Sequence, residues 1–186
     1  NGWGLICRTI VTEVPNIDQL GLPPAVHSVL KEKKGLVLVT GPTGSGKSTS
    51  LASMINKINR ERAEHIITIE DPVEFVHSEI KSIISQREVG RDTISFASAL
   101  KGALREDPDI LLLGEMRDYE TISLALTAAE TGHLVFGTLH TSGAAETINR
   151  IIDAFPAEEQ PQARSMVASS LQLVMTQQLL KRKSGG

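Results

Sequence analysis

Short apolar runs set the rhythm of the chain: LVLV (36–39), IITI (66–69), ILLL (110–113) and LVFGTL (134–139). They are too short for helices and nearly unbroken in apolar character, which is the pattern of strands buried on both faces of a parallel sheet. Helical periodicity separates them. Phe96, Ala99, Leu100, Ala103 and Leu104 recur at i, i+3, i+4, i+7 and i+8, with Ser95 placed to cap the helix they predict. The segment from Asp118 to Gly132 opens on a capping aspartate, carries Ile122, Ala125, Leu126 and Ala129 on one face, and closes on a glycine. Pro15, Pro23 and Pro24 mark a linker leading into a short helix over 24–34 that Gly35 should end. A last helix from about Pro161 is expected to carry Val167, Leu171, Val174 and Met175 inward and to finish in a cationic turn at KRK. The pattern predicts an α/β fold, a mostly parallel sheet with helices on both faces, and contains no internal repeat.

Composition narrows the function. At 186 residues, 40% hydrophobic and 22% charged, the chain can bury the core of one globular domain. Its one cysteine, Cys7, can neither close an intrachain disulfide nor supply half of a metal site, so a reducing, cytoplasmic setting is expected. No apolar stretch approaches the roughly 20 residues that span a bilayer, so direct membrane insertion is not expected. A net charge of −3 and only 3% aromatics give neither the electrostatic footprint nor the stacking surface of a nucleic-acid binder.

The candidate chemistry starts at GPTGSGKST (41–49). Gly41, Gly46, Lys47 and Ser48 fit G-x-x-x-x-G-K-[ST], which arises by chance in roughly one chain of this length in a hundred. Here it also follows a predicted strand and precedes a predicted helix. Gly41, Pro42, Thr43, Gly44, Ser45, Gly46 and Thr49 would wrap the phosphates at a helix N-terminus, each but Pro42 offering a backbone N–H. Lys47 would hold the β and γ phosphates, and the Ser48 hydroxyl would ligate Mg²⁺. Guanine recognition normally uses Asn-Lys-x-Asp, and Asn56-Lys57-Ile58-Asn59 lacks the aspartate, so ATP is the expected nucleotide.

Ligands of open α/β sheets lie beyond the carboxyl ends of the strands. Polar groups recur there: Glu70-Asp71-Pro72 after IITI, Gly114-Glu115-Met116-Arg117 after ILLL, and His140-Thr141 after LVFGTL. Singly, Asp71 fits a turn, Glu115 a helix entry and His140 a satisfied imidazole. Jointly they fit one magnesium nucleotide. A carboxylate near the γ-phosphate can position and deprotonate the attacking water, Glu115 first and Glu70 second. Glu70, Asp71 or Glu115 could hold the metal through its water shell. His140 could sense the γ-phosphate, and Arg87 and Arg117 are candidates for charge stabilisation.

These segments resemble the secretion and pilus ATPases of bacteria, most closely the pilus-retraction branch. GLVLVTGPTGSGKST resembles that family's Walker A, ITIEDPVEFVH its acidic box, ILLLGEMRD its Walker B and TGHLVFGTLHT its histidine box. Gly114 stands where many P-loop ATPases place an aspartate, as it does in this family. The resemblance implies a RecA-like core in a homo-hexameric motor that couples ATP hydrolysis to type IV pilus retraction. It would be held at the inner membrane through a platform protein. Glu115 would be the catalytic glutamate, with Glu70 and Asp71 contributing from the acidic box and His140 a box histidine, and His133 a second box histidine or a helix-end group. Residues 1–12 would be the tail of an N-terminal domain, 13–34 a linker and short helix, and 35–186 a RecA-like domain lacking its C-terminal part. LQLVMTQQLLKRK runs into SGG without the paired cysteines typical of extension and type II secretion relatives, which favours retraction. Pilus extension, a nucleotide-gated assembly module with little turnover, and a DNA motor are the competing expectations.

Overall fold

The computed structural model describes residues 13–180. Six strands form one parallel sheet: β1 (Gly35–Thr40), β2 (His65–Glu70), β3 (Ile83–Glu88), β4 (Ile110–Leu113), β5 (Leu134–Leu139) and β6 (Leu171–Thr176), in the order β3-β2-β4-β5-β1-β6. The helices are α1 (Pro24–Val29), α2 (Lys47–Glu61), α3 (Phe96–Ala103), α4 (Tyr119–Glu130), α5 (Ala144–Asp153) and α6 (Gln160–Ser170), with a single 3-10 turn at Ile17–Gln19.

Alternate residues of the inner strands feed two cores. Leu36, Leu38, Ile67, Ile69, Leu111, Leu113 and Val135 pack beneath α3, α4, α5 and α6. Val37, Val39, Ile66, Ile110, Leu112 and Phe136 pack on the other face beneath α1 and α2. Because both faces are covered, β1, β4 and β5 are buried at every position, which is why their sequences are unbroken apolar runs rather than alternating ones. Ser95 and Asp118 cap α3 and α4 as expected, their side chains accepting from the N–H groups of Ser98 and Thr121.

Three expectations are corrected. The first helix ends at Val29, and Gly35 is the opening residue of β1, where a Cβ would meet the Ser170 carbonyl at 2.8 Å. Leu171, Val174 and Met175 lie on β6, not on the last helix, which stops at Ser170. As a strand, this segment satisfies the backbone edge of β1 and sends Leu171 and Val174 to one core and Leu173 and Met175 to the other. That gain outweighs helix propensity. Strand β3 was not expected at all: IISQRE is an edge strand with polar residues and does not read as a buried run. The 1–12 tail and the KRK turn lie outside the described residues.

Phe136 is fully buried in the α2-side core. Truncating it to alanine should cost about 3–5 kcal/mol. Ile94→Ala, at a side chain 88% exposed, should stay within about 0.5 kcal/mol. Urea denaturation of both variants checks the pair.

Candidate phosphate-binding site

The loop 41–46 leaves β1 at its carboxyl end and turns directly into α2. Gly46 caps α2 with φ +87°, and no side chain accepts from the first-turn N–H groups, so these donors face the loop together with the positive end of the helix dipole. Gly41 is required by close approach: a Cβ there would lie 2.2 Å from the Gln177 carbonyl oxygen and 2.8 Å from Ser45 Oγ. Ser48 and Thr49 occupy the first turn of α2, half-buried, while Pro42, Thr43 and Gly44 are exposed. Lys47 is buried and folds back over the loop, its Nζ donating to the carbonyls of Gly41 (2.8 Å) and Pro42 (3.1 Å). Burial lowers its pKa, opposed by the carboxylates of Glu115 and Glu74.

Strands β2, β4, β5 and β1 are adjacent in the sheet, so the groups beyond their ends share one edge. His140, after β5, stands between the loop and Glu115: its Nδ1 is 3.5 Å from Lys47 Nζ and its Nε2 is 3.2 Å from Glu115 Oε1. Glu115 follows β4, is 17% exposed, and its Oε1 also pairs with Arg117 Nε. Burial pushes the Glu115 carboxyl up, but Arg117 and His140 outweigh it and hold the group below the usual carboxylate range. Asp71 is exposed, and its charge adds to that of Glu115 in raising the Arg117 pKa.

Glu70 ends β2 on the α2 side of the sheet. Its Oε1 accepts from Thr68 Oγ1 (2.6 Å) and Gln86 Nε2 (3.2 Å), and burial raises its pKa against those bonds. Gly114 leaves no room for a larger residue without movement, because its N–H donates to the Ile69 carbonyl at 2.8 Å and a Cβ would sit 3.2 Å from Glu70 Cα. This accounts physically for the glycine where an aspartate is usual.

Two expected groups lie elsewhere. Arg87 bonds both carboxylate oxygens of Glu106, at 2.6 and 2.7 Å, on the α3 side of the sheet, and so is not presented to the loop. His133 precedes β5 at the opposite sheet edge, roughly 20 Å along the strand from His140, with Nδ1 3.0 Å from the Ala128 carbonyl at the end of α4. It closes a helix. Gln177 was missed: its N–H donates to the Thr40 carbonyl (2.8 Å) and its Nε2 to Ser50 Oγ on α2 (2.9 Å), so it braces both ends of the loop. Gln86 was missed with it. Both follow from elements the sequence pattern did not show, β6 and β3.

Among the described residues no three of His, Cys, Asp and Glu cluster as a metal site. Magnesium in phosphate sites commonly takes only one or two protein ligands beside phosphates and water, and a Ser48 hydroxyl at the helix start, with the Glu70 and Asp71 carboxylates at the carboxyl end of β2 on the same sheet edge, fits that mode.

A glycine loop joining a buried strand to a helix, at the edge of an all-parallel sheet, defines the class of RecA-like P-loop proteins. The chain belongs to the family described as "Type II/IV secretion system protein", which matches residues 7–184. It is 58% identical over 185 residues to the "Type IV pilus retractation ATPase PilT" of Pseudomonas aeruginosa, covering 100% of this chain and 54% of that protein. It is 58% identical over 184 residues to the "Twitching motility protein" of Neisseria gonorrhoeae, covering 99% and 49%. The crystal structure of the pilus retraction motor PilT with bound ADP superimposes with a TM-score of 0.93 at 57% identity, over 96% of this chain and 52% of that one. The ATPase DotB of Legionella pneumophila gives 0.92 at 39%, over 96% and 50%. The chain thus spans about half the length of the curated relatives it matches.

The Gly41 contact yields a stability test. Gly41→Ala should destabilise the fold by about 1–3 kcal/mol through overpacking against backbone, whereas at Gly44 the space for a Cβ is open and the cost is only that of its φ of +76°. Chemical denaturation should rank Gly41→Ala well below Gly44→Ala; equal midpoints would contradict the close approach.

Proposed function

We propose that the chain is the nucleotide core of an ATP-hydrolysing motor subunit that powers type IV pilus retraction. The observation that carries this is the line from Lys47 through His140 to Glu115, with separations of 3.5 and 3.2 Å, at the edge where the phosphate loop opens. Lys47 exchanges the Gly41 and Pro42 carbonyls for phosphate oxygens, and the loop N–H groups complete the cradle. Ser48, with Glu70 and Asp71, would hold Mg²⁺, which when bound would neutralise phosphate charge. Glu115 orients the attacking water and accepts its proton. His140, touching both Lys47 and Glu115, reads the γ-phosphate, and Arg117 holds Glu115 until that phosphate arrives.

We assign residues 35–186 to the RecA-like domain and 13–34 to a linker and short helix. The subunit works as a homo-hexamer on the cytoplasmic side of the inner membrane, docked on a pilus platform protein, without nucleic acid. The names of its relatives support a pilus-retraction motor, and no helix among the described residues is long and apolar enough to cross a membrane. A nucleotide-gated assembly role with little turnover is the second reading, favoured by the Arg117–Glu115 pairing, which weakens the base in this arrangement.

Glu115→Gln separates them. In the full-length protein it should leave Mg-ATP binding intact and reduce phosphate release about 10²- to 10⁴-fold, abolishing pilus retraction in cells. Retraction that survives in that variant would overturn the motor assignment.

A further inference from the structure

Gln86 stands mid-way along β3, opposite Thr68 in register and on the same sheet face as Glu70. Its amide makes three hydrogen bonds. Nε2 donates to Glu70 Oε1 (3.2 Å) and to the Phe75 carbonyl (2.9 Å), and Oε1 accepts from the His77 N–H (2.9 Å). Both polarities are needed at once: a carboxylate cannot donate, and an ammonium cannot accept. The loop that follows Glu70 is therefore pinned at two backbone points by the same side chain that bonds the Glu70 carboxylate.

We propose that Gln86 is a positioning residue for nucleotide hydrolysis, fixing the Glu70 carboxylate and the acidic loop 71–77 in one arrangement; this rests on the role given to Glu70 above. The groups that face Glu70 can be named. Thr68 on β2 and Gln86 on β3 donate to it, Glu74 in the loop donates its N–H and repels with its carboxylate, and β4 presents only the backbone of Gly114. Glu88, opposite Glu70 in register, directs its Oε2 to the Val73 N–H at 3.0 Å. Lys47, from α2, feels Glu115 and Glu74.

The test uses the full-length protein with Gln86→Leu, Gln86→Glu and Glu70→Gln, measuring kcat and KM for Mg-ATP hydrolysis. Gln86→Leu should lower kcat about 10- to 100-fold and leave KM for ATP within about twofold because the loop 41–49 is untouched. Gln86→Glu keeps the acceptor for His77 but loses both donated bonds, and should be at least as impaired; being isosteric, it carries the test should the leucine variant not fold. An inactive Glu70→Gln beside wild-type kcat in both Gln86 variants would overturn the proposal and leave Glu70 standing. Full activity in Glu70→Gln would overturn the Glu70 assignment and the role of Gln86 with it.

Discussion

The position of β1 between β5 and β6 is the constraint on which everything else rests. Its backbone pairs from Gly35↔Leu134 to Thr40↔Leu139 on one side and from Leu36↔Leu171 to Thr40↔Thr176 on the other, and all six of its residues are buried. A strand fixed on both edges and both faces cannot shift in register without exposing a core. Thr40, and the loop that starts at Gly41, are thereby held against His140 from β5 and Gln177 from β6. The phosphate cradle is a consequence of sheet pairing before it is a property of the glycines.

Within that frame the charges are arranged in a chain rather than a cluster. Lys47, His140, Glu115 and Arg117 each touch the next, alternating in sign if the imidazole is left aside. An anion entering the loop meets a lysine whose donors are held by two backbone carbonyls, and gaining that lysine means releasing those carbonyls. The change reaches His140 directly. From there a hydroxyl pair, Thr141 Oγ1 to Thr147 Oγ1 at 2.6 Å, joins the strand end to α5. This short, buried link ties the residue after His140 to the first turn of α5.

What the sequence showed was governed by burial. Strands covered on both faces wrote themselves as LVLV, ILLL and LVFGTL, and the residues after them, Glu70, Glu115 and His140, were found by position alone. The edge strands did not. β3 carries Gln86, Arg87 and Glu88 in an otherwise mixed run, and β6 has apolar residues whose spacing also suits a helix, so register with β1 decided its form. The groups missed, Gln86 and Gln177, sit on or just after those two strands. Arg87 was legible as a cation but not as the partner of Glu106, because a long-range pair leaves no periodic trace.

The most direct measurement is a crystal structure of the protein with Mg²⁺ and a non-hydrolysable ATP analogue. The account predicts phosphates cradled by residues 41–48, Lys47 Nζ moved from the Gly41 and Pro42 carbonyls onto phosphate oxygens, and the γ-phosphate lying between Glu115 and His140. Phosphates bound elsewhere, or Lys47 still on those carbonyls with the loop occupied, would contradict it.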